Sequence, residues 1–191
     1  MTEKQLTDAL RRKDEAAFRE LILRFQPIAA RVIFKITGDK EETLDLVQEV
    51  FVSIWEQVKN FREEASLSTW IYQLSTNKAL NHLKWKKLRA GFRLSWHSEQ
   101  AQPPAGMNHS QNMALEKFER KDDENAITMA LQQLPHNQRT AFVLSKSEGL
   151  SNPEIAVIMK LSVSSVESLN FRARQNLVKI LLPYYNNKKS R

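Results

Sequence analysis

Apolar side chains return every three or four positions through the first half of the chain, and each run is bracketed by residues that start or stop helices. Ala17, Phe18, Leu21, Ile22, Phe25, Ile28, Ala29, Val32 and Ile33 make one stripe, which stops at Gly38, a residue suited to the left-handed backbone that closes a helix. Pro27 sits inside this stripe and is expected to kink or split the helix, because its ring removes a backbone donor. Leu44, Val47, Val50, Phe51, Ile54 and Val58 form a second stripe ending near Asn60. Asp39, Glu41 and Glu42 precede or open it, where carboxylates suit the partial positive charge of a helix N-terminus. A third helix is predicted from Ser66 or Ser68 as N-cap, through Trp70, Ile71, Leu74, Ala79, Leu80 and Leu83, into Lys87. Three one-sided helices bury their stripes against each other, so residues 1–90 read as a small bundle.

The periodicity then collapses. "SWHSEQAQPPAGMNHSQN" holds Pro-Pro, Gly, Ser, Asn and Gln without an apolar stripe, and residues 91–121 read as a flexible linker. The pattern returns with "ENAITMALQQL", ended by Pro135. In the next segment Ala141, Phe142 and Leu144 face inward, and Gly149 suits a left-handed cap. "SNPEIAVIMKLSVSSVESLNFRARQNLVKIL" then reads as helix, short turn, helix. Ser151 and Glu154 have capping-box spacing, Pro153 is tolerated in a first turn, and Ile155, Ala156 and Ile158 or Met159 turn inward. The second helix starts at Ser162 or Ser164 and is predicted to bury Val166, Leu169, Ala173, Leu177 and Ile180. That leaves Ser165, Glu167, Ser168, Phe171, Arg172 and Arg174 outside. This is the pattern of a helix-turn-helix, whose second helix can enter a major groove, and equally of an ordinary helical hairpin. The fold class is therefore all-α: two small helical domains, residues 1–90 and 122–185, joined by the linker and followed by a basic tail, residues 186–191.

Composition narrows the partners. Among 191 residues, 29 Lys and Arg face 22 Asp and Glu, a formal net charge of +7 that favours a polyanion. The absence of cysteine excludes disulfides, thiolate metal sites and thiol nucleophiles. No stretch approaches the roughly 20 apolar residues that span a bilayer, so no membrane insertion is expected and the protein is read as cytoplasmic. His82, His97, His109 and His136 are scattered, with no metalloprotease spacing and no phosphate-binding Gly-rich loop, so no catalytic residue, metal or cofactor is assigned.

One stretch, residues 61–87, carries aromatics, amides and cations together. An unpaired base offers a face for stacking and an edge for hydrogen bonding, while its strand offers phosphates. Phe61 and Trp70 suit the face, and Asn77 and Asn81, four apart on one helix, suit the edge. Lys78, Lys84, Lys86, Lys87, Arg89 and Arg93 suit the phosphates. Trp70 also shares a stripe with Leu74, so a core role for it stands beside the binding one.

"DLVQEVFVSIWEQVKNF" followed by "SLSTWIYQLSTNKALNHLKWKK", and later "LQQLPHNQRTAFVLSKSEGLSNPEIAVIMKLSVSSVESLNFRARQNL", resemble bacterial RNA polymerase sigma factors of the extracytoplasmic-function (ECF) class, in the family's order. The resemblance implies that the first domain is region 2, docking on the clamp helices of the largest polymerase subunit through Asp45, Gln48, Glu49, Phe51 and Trp55. It implies that the loop Phe61 to Ser68, with Phe61 at its entrance and Ser66 within it, receives a base flipped from the minus-ten element, and that Asn77 reads that region; Trp70, Lys78, Asn81, Lys84 and Lys87, read above from their residue types, are then the other minus-ten contacts. The second domain would be region 4, packing on the flap of the second subunit and reading the minus-thirty-five element of promoter DNA through Ser165, Glu167, Ser168, Phe171 and Arg172, with Arg174 near phosphate. Glu167, Leu169 and Asn170 depart from the residues common there. An anti-sigma factor is an expected further partner. A different reading of the same helix-turn-helix is a dimeric transcriptional regulator acting without core polymerase. A third is a pure interaction protein whose basic surface has no role.

Overall fold

The computed structural model describes residues 1–61, 65–96 and 115–189, and every regular element among them is helical. The middle of the Phe61–Ser68 loop, at residues 62–64, the centre of the predicted linker at residues 97–114 and the last two residues of the tail lie outside that range.

The chain opens on a helix that the periodicity reading did not assign, α1 (Glu3–Arg11). Its signal is short but present. Thr2 and Gln5 form a reciprocal capping box, and Leu6, Ala9 and Leu10 recur at helical spacing and are buried. Lys13, at φ 60°, turns the chain, and Asp14 then caps α2 (Glu15–Thr37) by accepting from the Ala16 and Ala17 amides at 2.8 and 3.1 Å. Contrary to the expectation of a split, α2 runs through Pro27 as one helix. Pro27 is exposed, so its ring sits on the solvent side, where the freed carbonyl can reach water. Gly38 ends α2 at φ 74°, as predicted.

Asp39 caps α3 (Lys40–Gln57), and a single tight turn, Val58–Asn60, follows it. The buried face of α3 is Thr43, Leu46, Val47, Val50, Phe51 and Ile54, so Leu44, predicted inside, is instead 62% exposed. Thr43 takes a core position without penalty because its hydroxyl donates to the Asp39 carbonyl. Ser66 caps the long α4 (Leu67–Trp96) by accepting from the Thr69 amide at 3.1 Å. α3 and α4 run antiparallel, fixed by Glu49–Lys78 at 2.9 Å, Glu42–His82 at 3.5 Å and Asp39–Lys86 at 3.2 Å: the α4 number rises as the α3 number falls.

α4 continues to Trp96 and α5 (Leu115–Gln133) starts at Leu115, so helix occupies both ends of the span read as linker. α6 (His136–Phe142) leads into a wide π turn, Val143–Ser147, then Gly149 at φ 71°. α7 (Asn152–Met159) carries the Ser151–Glu154 capping box, and α8 (Val163–Lys189) starts behind Ser162, whose hydroxyl accepts from the Ser165 amide at 3.2 Å. The inner face of α8 is Val166, Asn170, Ala173 and Leu177. Leu169 is only half-buried, a correction to the predicted stripe. Asn170 replaces it because its amide donates to the Asn152 side chain at 3.3 Å, tying α8 to the start of α7.

Ala130, Leu131 and Leu134 of the α5 segment pack with Ala173 and Leu177 as a small separate core. Leu144, Ile155, Ala156, Ile158 and Val166 instead join the main core built on α1–α4. The two helical bodies are thus packed together.

Candidate nucleic-acid interface

α4 places the predicted residues on two sides. Trp70, Gln73, Asn77, Asn81, Lys84, Trp85 and Leu88 fall on one face, within about 60° of a common direction at 100° per residue. Gln73 and Asn77 are half-buried, while Asn81 and Lys84 are exposed. Three amides one turn apart therefore form a ladder beginning beside an aromatic ring and ending beside a second one, Trp85, which is 62% exposed. The sequence reading found Asn77 and Asn81 but missed Gln73 and Trp85. Their signal was the same spacing of four, continued one step on either side of Asn77 and Asn81.

At the N-terminal end of this ladder, Phe61 and Trp70 stack with ring centroids 4.6 Å apart and planes inclined by 21°. Phe61 is 9% exposed, so one of its faces is already covered by Trp70 and the aromatic surface left to a ligand belongs mainly to Trp70. The Arg11 guanidinium donates to the Phe61 carbonyl at 2.7 Å and pins the start of the loop. A groove of about 550 Å³ opens here, lined by Gln57, Asn60, Phe61, Ala65, Thr69, Trp70, Gln73 and Val157. One aromatic wall with amides and a hydroxyl around it provides both a stacking face and edge-reading donors and acceptors. Asn60, Thr69 and Gln73 were not assigned from sequence. They become neighbours only when α4 returns past the end of α3. Ser66 is exposed at the rim, where its hydroxyl serves the helix cap.

Lys78 does not stand free along the ladder: it pairs with Glu49 of α3. Lys84 and Lys87 are exposed. Lys86 pairs with Asp39, whose pKa burial would raise. Hydrogen bonds from the Glu42 amide and from Lys86 outweigh burial and hold it low.

The outer face of α3 is a second surface. Asp45, Gln48 and Glu49 are exposed and line a shallow concavity of about 450 Å³ with Val52, Glu56 and Lys78. Leu44 and Val52 are 62% and 54% exposed, so this face mixes carboxylates with unpaired apolar side chains. Phe51, predicted to join it, is 4% exposed and packs into the core at the edge of this face, so it holds α3 in place and offers almost no surface to a partner. Trp55 is half-buried, packed on Phe18 at 4.7 Å with the Lys13 ammonium 4.7 Å over its ring.

On α8, Glu167, Ser168, Phe171, Arg172 and Arg174 are exposed as the stripe predicted, while Ser165, expected with them, is half-buried. Phe171 is 60% exposed and stands on the same outer face as Ser168 and Arg172. A groove of about 370 Å³ beside Ser165, Ser168, Leu169 and Arg172 is closed by Asn137 of α6 and Leu161 of the turn, neither of them read as a site residue from sequence. The Asn176 amide donates to the Gln138 side chain at 2.8 Å and holds α6 against α8. Among the described residues there is no group of three or more metal-ligating side chains, and no helix long and apolar enough to cross a membrane.

A bundle with an aromatic groove and an amide ladder, joined to a helix-turn-helix with an exposed basic reading face, defines a two-module DNA-recognition protein. Residues 21–89 match Sigma-70 region 2 and residues 124–177 match Sigma-70, region 4. The chain is 32% identical over 188 residues to the RNA polymerase sigma-H factor of Pseudomonas aeruginosa, covering 95% of this chain and 94% of that one. It is 28% identical over 190 residues to the ECF RNA polymerase sigma-E factor of Haemophilus influenzae, covering 96% and 97%. Among solved structures, CnrH in complex with the cytosolic domain of CnrY shares the fold at a TM-score of 0.67 and 21% identity, over 94% of this chain and 96% of that one. RpoE in complex with the anti-sigma factor NepR, from Bartonella quintana, does so at 0.66 and 21%, over 86% and 96%. The chain belongs to the sigma-70 family, in its extracytoplasmic-function class. It is accordingly a DNA-binding transcription-initiation factor, not an enzyme.

Proposed function

We propose that this sigma factor docks on core RNA polymerase through the outer face of α3 and captures the melted non-template strand of the minus-ten element along α4. The observation that carries the reading is the run Trp70, Gln73, Asn77, Asn81 and Lys84 on one face of α4, beginning at the Phe61–Trp70 groove. Capturing an extruded base costs a few kcal/mol of unstacking, and a stacked base returns about 1–3 kcal/mol, so the groove traps an opening that thermal motion begins. Base capture of this kind requires no nucleotide hydrolysis in this chain.

In this reading the α3 face, acidic with Leu44 and Val52 bare, meets the clamp helices of the largest subunit. α8 enters the major groove of the minus-thirty-five element, and the second domain packs on the flap. In the same reading Arg172 contacts a base and Arg174 a phosphate, and Glu167 accepts from a cytosine amino group where many relatives carry a cation, which shifts the preferred sequence. Residues 1–90 then serve as region 2, 91–121 as linker, 122–185 as region 4 and 186–191 as a basic tail, in a protein acting in the cytoplasm. Control by an anti-sigma factor is part of the proposal, supported by the solved RpoE structure of this fold, which was determined with the anti-sigma factor NepR.

The test is run-off transcription on fragmented genomic DNA with core polymerase, with and without this protein. New discrete transcripts are expected. Sequence-specific binding by the protein alone, with no new transcripts, would return the reading to a dimeric regulator.

A further inference from the structure

The turn between α1 and α2 is closed by a lysine at the position where helices favour glycine. The Lys13 amide donates to the Leu10 carbonyl at 2.9 Å and the Asp14 amide to the Ala9 carbonyl at 3.1 Å, the paired bonds of a left-handed helix cap. Lys13 carries the positive φ, 60°, a backbone that a residue with a Cβ adopts at a cost. Such strain persists where surrounding contacts over-determine it. Here the ammonium donates to the Trp55 carbonyl in the last turn of α3 and sits 4.7 Å over the Trp55 ring. That last turn holds no basic residue of its own, so Lys13 supplies the cation that a helix C-terminus favours.

Arg11, in the last turn of α1, reaches the other side of the same junction. Asp8, one turn earlier, holds its Nη1 at 3.2 Å, and Nη2 donates to the Phe61 carbonyl at 2.7 Å. The Phe61 amide donates to the Val58 carbonyl at 3.2 Å. Both backbone groups of Phe61 are therefore committed, and the ring they carry is the one stacked on Trp70. The two cations thus hold the chain at either end of the Val58–Asn60 turn, which supplies Asn60 to the groove. Leu6, Ala9 and Leu10 are buried and α1 packs on both α2 and this turn, so the platform that carries Arg11 and Lys13 is itself fixed. α1 and its turn lie before residue 21, where the match to Sigma-70 region 2 begins.

We propose that α1 and its closing turn are the positioning element of the capture loop. Arg11, acting through the Phe61 backbone, and Lys13, acting through the end of α3, hold the Phe61–Trp70 pair in base-receiving geometry before DNA arrives. The inference rests on the base-capture reading of the groove. Neither residue needs to touch the strand. Each removes freedom from the start of the loop in the free protein, and a groove ordered in advance loses little entropy when a base enters. Loss of Arg11 lets the start of the loop move, so the defect falls on promoter opening and spares docking through Asp45, Gln48 and Glu49.

Hydrogen exchange on the free full-length protein reads the positioning without DNA. Arg11→Met keeps the alkyl stem and removes the donors, so exchange of the Phe61 and Trp70 amides should quicken about five- to tenfold while α8 is unchanged. Arg11→Lys, which keeps a cationic donor, should recover most of the protection. The Arg11 side chain is 33% exposed, and circular dichroism checks the fold. Lys13→Gly tests the second cation and keeps the inference open to refutation if Arg11→Met unfolds. It relaxes the positive φ, yet exchange at the end of α3 should rise; an idle Lys13 side chain would leave the variant at least as protected as the parent. Promoter opening with core polymerase at saturating factor should fall about fivefold in Arg11→Met, and no further when Arg11→Met is added to Trp70→Ala, since both act on one ring pair. Unchanged exchange, normal opening by Arg11→Met where Trp70→Ala is impaired, or a defect that adds in full to that of Trp70→Ala overturns the positioning role. Normal opening by Trp70→Ala instead overturns the base-capture reading, and is told apart by exchange that is still quickened in Arg11→Met.

Discussion

Trp70→Ala tests base capture where its physics is most local. The ring is half-buried and stacked on Phe61 at 4.6 Å, so truncation removes two interactions at once. The ring pair contributes about 0.5–1.5 kcal/mol to folding beyond the burial of the half-buried ring itself, which truncation also removes, and a melting point falls about 2–4 °C per kcal/mol in a chain of this size. The base-stacking contribution, about 1–3 kcal/mol, appears only once a strand is bound. At about 1.4 kcal/mol per factor of ten, it lowers open complexes by roughly five- to 150-fold. Trp70→Phe keeps most of the ring pair and part of the stacking face, so it should separate the two effects, melting near the parent with an intermediate opening defect. The assay is a fluorescent base placed in the minus-ten element, followed with core polymerase at saturating factor. If Trp70→Ala stays folded, binds core polymerase normally and opens the promoter as well as the parent, the groove is not the capture site and the aromatic pair is only core.

Other outcomes follow from the same geometry. Trp85→Ala should leave melting unchanged, since the ring is 62% exposed, yet shorten open-complex lifetime about fivefold or more; an unchanged lifetime removes Trp85 from the strand path. Leu44→Asp with Val52→Asp should weaken core-polymerase binding at least about tenfold at unchanged stability, because each bare apolar side chain returns about 1.5–3 kcal/mol only on docking. Equal affinity by fluorescence titration would move the docking face elsewhere. Burial, then the charges of Arg139 and Lys87, hold the His136 pKa below its ordinary 6.5. The folded state therefore binds this proton less readily than the unfolded chain, so stability is full above pH 6.5 and declines as pH falls below it. Melting temperature against pH should show that decline in the parent and a flatter profile in His136→Gln.

Where the sequence pattern misled, polar residues had taken core positions. Thr43 lies inside because a hydrogen bond within its own helix satisfies its hydroxyl, and Asn170 lies inside with its amide N–H bonded across to Asn152 of α7; an apolar stripe read alone then shifts by one residue, to Leu44 and Leu169. α1 was overlooked because it is short, although its Thr2–Gln5 capping box was readable. Phe51 was carried into the docking face by resemblance, while its own spacing with Val47 and Ile54 already placed it in the core.

The sequence by itself determined the helical class, the main helices, the cap at Ser151, the choice of caps between Ser66 and Ser68 and between Ser162 and Ser164, and the exposed face of α8. All of these depend on residues within a few turns of one another, where spacing and local hydrogen bonding decide the outcome. Tertiary structure alone decided the groove at Trp70, the ion pair between Lys78 and Glu49, and the burial of Glu148 between Arg31 and Tyr72. Arg31 and Glu148 are 117 positions apart, and no period in a chain specifies which of many exposed-looking charges will meet. Their meeting is set by how two packed bodies fit, which is a property of the whole core.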